Sequence, residues 1–241
     1  MWAELVANTA RNCVMEFRYL SRQEAHSIDA GVAVVVDVMR AYATAAWAFH
    51  LGARRIILSD DVEQAVLIAS TIEGSLLFRD GEPDDRFDLH NSPHQLKSLD
   101  VADRTIVQKT TAGTMGATAA RGADHLFCAG YPTARATSDQ VSALNPELVT
   151  FVVTGSNGTA EEDLSCAELI AARIAGVDPD ATEFVERARQ STAAARLAAG
   201  VAAGYAGVAA EDVELCLQVD RFDFAMRASE VDVGLVLAAT V

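Results

Sequence analysis

Apolar and polar positions along this chain follow two recurring patterns. Val32 to Val36 is an unbroken Val-Ala-Val-Val-Val run, the pattern of a strand covered on both faces. Residues 41–51 are mostly apolar over helical length, and Gly52 supplies a C-cap. The same succession follows, with a strand expected over 54–58 and a helix over 60–72, capped by Ser59 or Asp60. Residues 76–78 predict a short strand, and a polar loop rich in Asp, Gly and Pro fills 79–93. Further strands are expected at 105–108, 124–128 and 148–153, with helical segments between them, and 161–175 reads as helix. Beyond Asp178 the pattern changes to Ala-rich helix, over 181–197 and 209–217. Strands and helices alternating through short connections predict an α/β fold, a mostly parallel or mixed sheet with helices on both faces. No repeat and no linker divides residues 1–241, so the chain reads as a single domain, with two closely packed lobes as the alternative.

Ligands of such sheets collect at the carboxyl ends of strands, and four of those ends carry chemistry. Asp37 and Arg40 follow the first strand, and Gly81 and Glu82 follow the third. Lys109, Thr110, Thr111, Gly113 and Thr114 follow the fourth, where it passes into an Ala-rich helix. Thr154 to Gly158 follow the 148–153 strand, and Glu162 with Asp163 open the next helix. Hydroxyls, a cation and a glycine at a helix start suit a bound anion, because the first amides there are unpaired. They suit an ordinary N-cap equally well.

Charge narrows the choice. The 241 residues are 51% hydrophobic and 22% charged, as in globular proteins, but the formal net charge is −15. That argues against nucleic-acid and anionic-membrane partners. It also means that a site for a small anion must carry its own positive charge, from a divalent metal or a few placed Arg and Lys. Residues 193–210 form the most apolar long stretch, but it is mainly Ala and Gly with Arg196 inside, which predicts a docked helix and not a membrane span. The first five residues lack the features of a signal peptide. The four cysteines (Cys13, Cys128, Cys166, Cys216) are scattered, which suits a reduced, cytoplasmic protein and gives no zinc pattern.

Standard phosphate motifs do not fit. No G-x-x-x-x-G-K-[ST] is present. Cys128 and Arg135 are one residue too far apart for a cysteine-phosphatase loop, and Asp37-Val-Met-Arg lacks the second aspartate of the haloacid-dehalogenase type. His90 and His94 are four apart, but Pro93 disfavours the helix that would align them as ligands. The acids Asp37, Glu82, Glu162 and Asp163 form the oxygen-rich set that Mg²⁺ prefers.

Several blocks resemble one family in order: VVVDVMRA from Val34, Gly81-Glu82, FDLHNSP from Phe87, KTTAGT from Lys109 and EEDLSCAE from Glu161. Over about residues 32–169, the chain is similar to the 2-phosphosulfolactate phosphatases (ComB-like proteins). The resemblance implies a three-layer α/β/α fold and a Mg²⁺-dependent phosphomonoester hydrolase. Its substrate would be a small phosphorylated sulfo or carboxy acid, on the route to coenzyme M. The matching positions are Asp37, Arg40, Gly81, Glu82, Asn91, Ser92, Thr110, Thr111, Gly113, Thr114, Glu162, Asp163 and Cys166. Departures stand beside them: Tyr42-Ala43, Pro83, His90, Lys109, Ala112 and Glu168 replace the family's usual residues, so a catalytically impaired, anion-binding homologue is the alternative.

The expected machinery is as follows. Asp37, Arg40, Glu82 and Asp163 are the catalytic candidates, and Asp37, Glu82, Glu162 and Asp163 the metal candidates. Asn91, Ser92, Lys109, Thr110, Thr111, Gly113 and Thr114 are the substrate-binding candidates. The nucleophile is a metal-activated water, an aspartyl-phosphate on Asp37, or Cys166, in that order. Lys109 is expected to meet a second acidic group on the ligand or to pair with an acid at the surface. A homo-oligomer stays open.

Overall fold

Val32–Val36 forms strand β2, and every position in it is buried. The computed structural model describes residues 15–241, so Cys13 and the opening five residues lie outside the described residues. Around β2 stand three parallel neighbours, in the order β1 (Glu16–Ser21), β8 (Leu148–Val153), β2, β7 (His125–Ala129). A second parallel quartet comprises β3 (Arg55–Ser59), β6 (Thr105–Lys109), β4 (Leu76–Arg79) and the two-residue β5 (Leu89–His90). The sequence placed β5 inside a polar loop, since two residues carry no periodicity.

A C-terminal hairpin, β9 (Ala225–Val231) and β10 (Gly234–Thr240), joins the quartets into one sheet of ten strands. The pairs β7–β9, β9–β10 and β10–β3 are all antiparallel. The two quartets therefore run in opposite directions. Neighbouring strands are rotated by roughly 20–25° on average, and this rotation accumulates over the intervening strands until the carboxyl ends of β2 and β6 converge. The Gln108 side chain on β6 donates to the Ala41 carbonyl just beyond β2, at 3.0 Å. Gly113 lies so close that a Cβ there would stand 2.6 Å from Ala41 Cβ and 2.8 Å from Asp37 Oδ2.

Three layers follow from the alternation of side chains along the strands. On one face α1 (Ala41–His50) and α3 (Gly113–Ala119) join a core that runs across both quartets, with Val35, Ile56, Phe78, Cys128 and Leu237. Nine of the ten α1 positions are buried, which explains the lack of a polar stripe in its sequence. On the other face α4 (Ala134–Ala143), α5 (Glu161–Ile174) and α6 (Thr182–Arg189) cover Val34, Phe127 and Phe151. There α2 (Val62–Ser70) covers Ile57 and Val107 of the second quartet. The α2 cap is Asp61, one residue later than expected, and its Oδ1 accepts from the Gln64 amide at 2.8 Å.

The C-terminal part departs from the all-helical expectation. The segment predicted as one helix over 181–197 is two, α6 and α7 (Thr192–Ala202), because Ser191 turns extended (ψ 159°) and caps the second. Helix α8 (Asp212–Cys216) is short, and the hairpin follows it. Met226 and Ala228 point inward and Arg227 and Ser229 outward, a period of two. Among the described residues no helix is long and apolar enough to cross a membrane.

Leu237 is fully buried on β10. Leu237→Ala is expected to destabilise the protein by roughly 2–5 kcal/mol. In urea, Trp47 fluorescence and far-ultraviolet circular dichroism should move together to a lower midpoint. Separate transitions would show that the quartets unfold independently.

Candidate active site

Three carboxylates gather beyond the end of β2. Asp37 is the first residue after the strand, only 5% exposed, and its Oδ1 accepts from the Ala41 amide at 3.0 Å. Asp163, in the first turn of α5, reaches the same place. Its Oδ1 accepts from Val38 N at 2.8 Å, and its Oδ2 from Gly155 N at 3.0 Å and Thr154 Oγ1 at 3.2 Å. Glu162 is buried beside it. Burial lifts the Asp37 carboxyl to about 6, and the charges of Asp80 and Glu162 push the same way. Burial raises Asp163 well above the carboxylate range, helped by Asp37 and Glu162, and burial also raises Glu162. Each acid is thus held where burial, above all, disfavours its charge.

Basic residues collect at the carboxyl end of the second quartet. Arg79 on β4 pairs in register with Lys109 on β6 and with His90 on β5, which sets three basic residues side by side at one sheet end. His90 is pushed down by burial and then by the charges of Arg40 and Arg79, so Arg40 belongs to the same group. Arg79 Nη1 is already paired, 2.9 Å from Asp84 Oδ2. Arg40 is itself held: its Nη1 lies 2.5 Å from Asp212 Oδ2. Lys109 Nζ stands 3.6 Å from Asp80 Oδ1.

The hydroxyls resolve differently from one another. Thr110 and Thr114 exchange bonds, with each backbone amide donating to the other's Oγ1 at 3.0 Å. They tie the end of β6 to the first turn of α3, whose N-cap residue, Ala112, makes no side-chain cap bond. The Thr111 amide and hydroxyl instead bind an anion that the chain supplies, the Asp80 carboxylate, at 2.7 and 3.0 Å. Asn91 and Ser92 are buried: Asn91 accepts from Gln108 at 2.8 Å, and Ser92 donates to Asp212 at 2.7 Å. Glu82 lies exposed on the loop after β4, with no bonded contact to the buried acids, while Asp80, two residues earlier, is the acid whose charge reaches Asp37. Cys166 is fully buried under α5, and burial raises its thiol far above the ordinary range, which suits a core residue. The sequence reading missed Asp80 and Asp212. Asp80 could have been found beside the Gly81-Glu82 block, but nothing local marks Asp212, which meets Arg40 across 172 positions.

The donor set suits a hard divalent cation. Two glycines let backbone pack closely against the acids: a Cβ at Gly113 would crowd Asp37 Oδ2, and one at Gly155 would stand 3.2 Å from Asp163 Oδ2 and 3.6 Å from Glu162 Oε1. Among the described residues no three His, Cys, Asp or Glu side chains enclose an ion. Mg²⁺ needs no such cage, since it binds through one or two carboxylates and completes its shell with water and substrate phosphate.

The 2-phosphosulpholactate phosphatase family model matches residues 19–230. A probable 2-phosphosulfolactate phosphatase of Bacillus subtilis is 32% identical over 173 residues, covering 70% of this chain and 76% of that protein. Proteins of the same name from Deinococcus radiodurans and Thermus thermophilus are 35% and 37% identical, each over 144 residues, 58% of this chain and 60% of each relative.

Burial of Asp37 generates a test. Its folded pKa, about 6, exceeds the ordinary 3.8, so its share of stability is present below the lower value and lost as pH rises through the upper one. In EDTA, Asp37→Asn should melt several degrees above the parent at pH 8 and no higher than the parent at pH 4. The same offset at both pH values would show that charge burial at Asp37 costs the fold nothing.

Proposed function

The chain belongs to the 2-phosphosulpholactate phosphatase family, and we propose that it is a Mg²⁺-dependent hydrolase of a small phosphomonoester carrying a second acidic group. The observation that supports this most is the approach of acids and bases from the two quartets. Three buried carboxylates whose charge burial disfavours lie beyond β2, and Arg79, His90 and Lys109 end neighbouring strands of the quartet whose β6 end approaches them. The relatives' names print 2-phosphosulfolactate, and a phosphate plus sulfonate and carboxylate on three carbons suits this arrangement.

In this reading Asp37 and Asp163, with Glu162 beside them, would hold Mg²⁺. Bound there, the ion supplies positive charge against the phosphoryl oxygens and favours the ionised form of a water. Arg40 binds the phosphate through paired N–H donors, which a planar guanidinium offers and an ammonium does not. Gly113 lets the start of α3 pack directly against Asp37, where a side chain would collide with Oδ2. Water is the nucleophile, and Asp37 Oδ2 accepts its proton, because the Ala41 amide already occupies Oδ1. Lys109 and Arg79 meet the second acidic group, with Lys109 exchanging its 3.6 Å contact to Asp80 for the ligand.

Phosphate release from a panel of small phosphomonoesters, with Mg²⁺ and with EDTA, tests the proposal. Turnover is expected only with Mg²⁺, and fastest for esters bearing a sulfonate or carboxylate. Phosphate or ester binding without turnover would leave an anion-binding homologue instead. Asp163→Asn should abolish the Mg²⁺ response, while the exposed Glu82→Gln should retain it. Arg40→Lys should weaken phosphate-ester binding by roughly 1.5–3 kcal/mol, the worth of a charged hydrogen bond. Lys109→Met should weaken doubly acidic ligands and leave simple monoesters nearly unchanged; an equal loss for both would place Lys109 on the phosphate.

A further inference from the structure

Asp212 is fully buried at the start of α8, far along the chain from the carboxylates and cations of the site. Both of its oxygens are saturated. Oδ1 accepts from Ser92 Oγ at 2.7 Å and His94 N at 3.1 Å, and Oδ2 from Arg40 Nη1 at 2.5 Å and Ala209 N at 3.0 Å. Three of these four donors are not Arg40, so the carboxylate keeps its place whether or not the arginine is there.

The arginine has no comparable support. Arg40 stands at the mouth of α1, and among the described residues the only hydrogen-bond partner of its side chain is Asp212, through Nη1. The opposite edge, Nε and Nη2, is the one that can meet two phosphate oxygens side by side. We propose that Asp212 is a positioning residue that fixes the Arg40 guanidinium by one nitrogen and so aims its remaining donors at the phosphate. This rests on the reading of Arg40 as the phosphate ligand. It deepens that reading by naming what removes the rotamer freedom of a long side chain before substrate arrives. A carboxylate that merely competed with phosphate would have to leave when the ligand binds. Asp212 is bolted to two backbone amides and a buried serine from separate segments, which makes it a fixed support.

The test is a double-mutant cycle read by calorimetry with inorganic phosphate in the presence of Mg²⁺, together with kcat and KM on the best ester of the panel. Asp212→Asn preserves shape and removes the charge. With Arg40 present it should weaken phosphate binding by about tenfold or more and raise KM more than it lowers kcat. In an Arg40→Ala background the same change should add less than about twofold. Equal losses in both backgrounds would overturn the proposal in favour of a structural role, and tighter phosphate binding by Asp212→Asn would make the carboxylate a competitor. Should Asp212→Asn melt below the assay temperature, Ser92→Ala keeps the carboxylate and removes one anchor. A severalfold rise in phosphate Kd is then expected, and no change overturns the proposal. A parent protein that neither binds phosphate nor hydrolyses esters overturns the Arg40 reading itself. A working parent with an unaltered Asp212→Asn overturns only the role of Asp212.

Discussion

Backbone hydrogen bonds between β10 and β3, and between β9 and β7, hold together two parallel quartets that run in opposite directions. An all-parallel sheet would place the carboxyl ends of β2 and β6 at the same edge but several strands apart. The antiparallel hairpin reverses the second quartet, and sheet twist then swings its carboxyl ends back toward the first. The approach is close enough that Gly113, beyond β6, has no room for a side chain against Asp37. This geometry brings Asp37, Arg40 and Asp163 of the first half near the residues that end β4, β5 and β6 of the second.

Electrostatics make the meeting productive. Asp37, Glu162 and Asp163 come from the first quartet and its helix, and burial leaves each of them with a raised pKa. Arg79, His90 and Lys109 come from the second. Arg40 bridges them, placed by β2 but surrounded by groups of the other half. Strand register sets the spacing of Arg79, His90 and Lys109 along one edge of an acidic protein.

The parts of this arrangement that were legible in the sequence are the local ones. The run Val32 to Val36 and the acids just beyond strand ends follow from patterns a few residues long. Asp37, Glu162 and Asp163 were readable because each sits at a strand-to-helix junction. The paired threonines at 110 and 114 were ambiguous until the structure showed them bonded to one another. What could not be read was pairing over distance. Asp212 looks like any helix-start acid until Arg40, Ser92 and His94 are found around it. Lys109 was expected to meet either a ligand or an acid, and Asp80 is the acid beside it. The hairpin went unread for a different reason: its alternation is broken, with Ala225 and Met226 both buried in β9 and Leu235, Val236 and Leu237 buried in succession in β10.

The position of the hairpin also governs how the molecule comes into being on the ribosome. The strands at the middle of the sheet, β9 and β10, are the last of the ten to be synthesised. Until they emerge, β7 and β3 each present a bare inner edge, lined by apolar residues such as Phe127 and Ile57 and carrying unpaired backbone donors and acceptors. Open strands of this kind are templates for pairing with other chains. The nascent protein is therefore most exposed to misassembly, and most in need of chaperones, just before its final strands arrive, and a ribosome stalled short of residue 225 would release two sticky halves and no phosphatase.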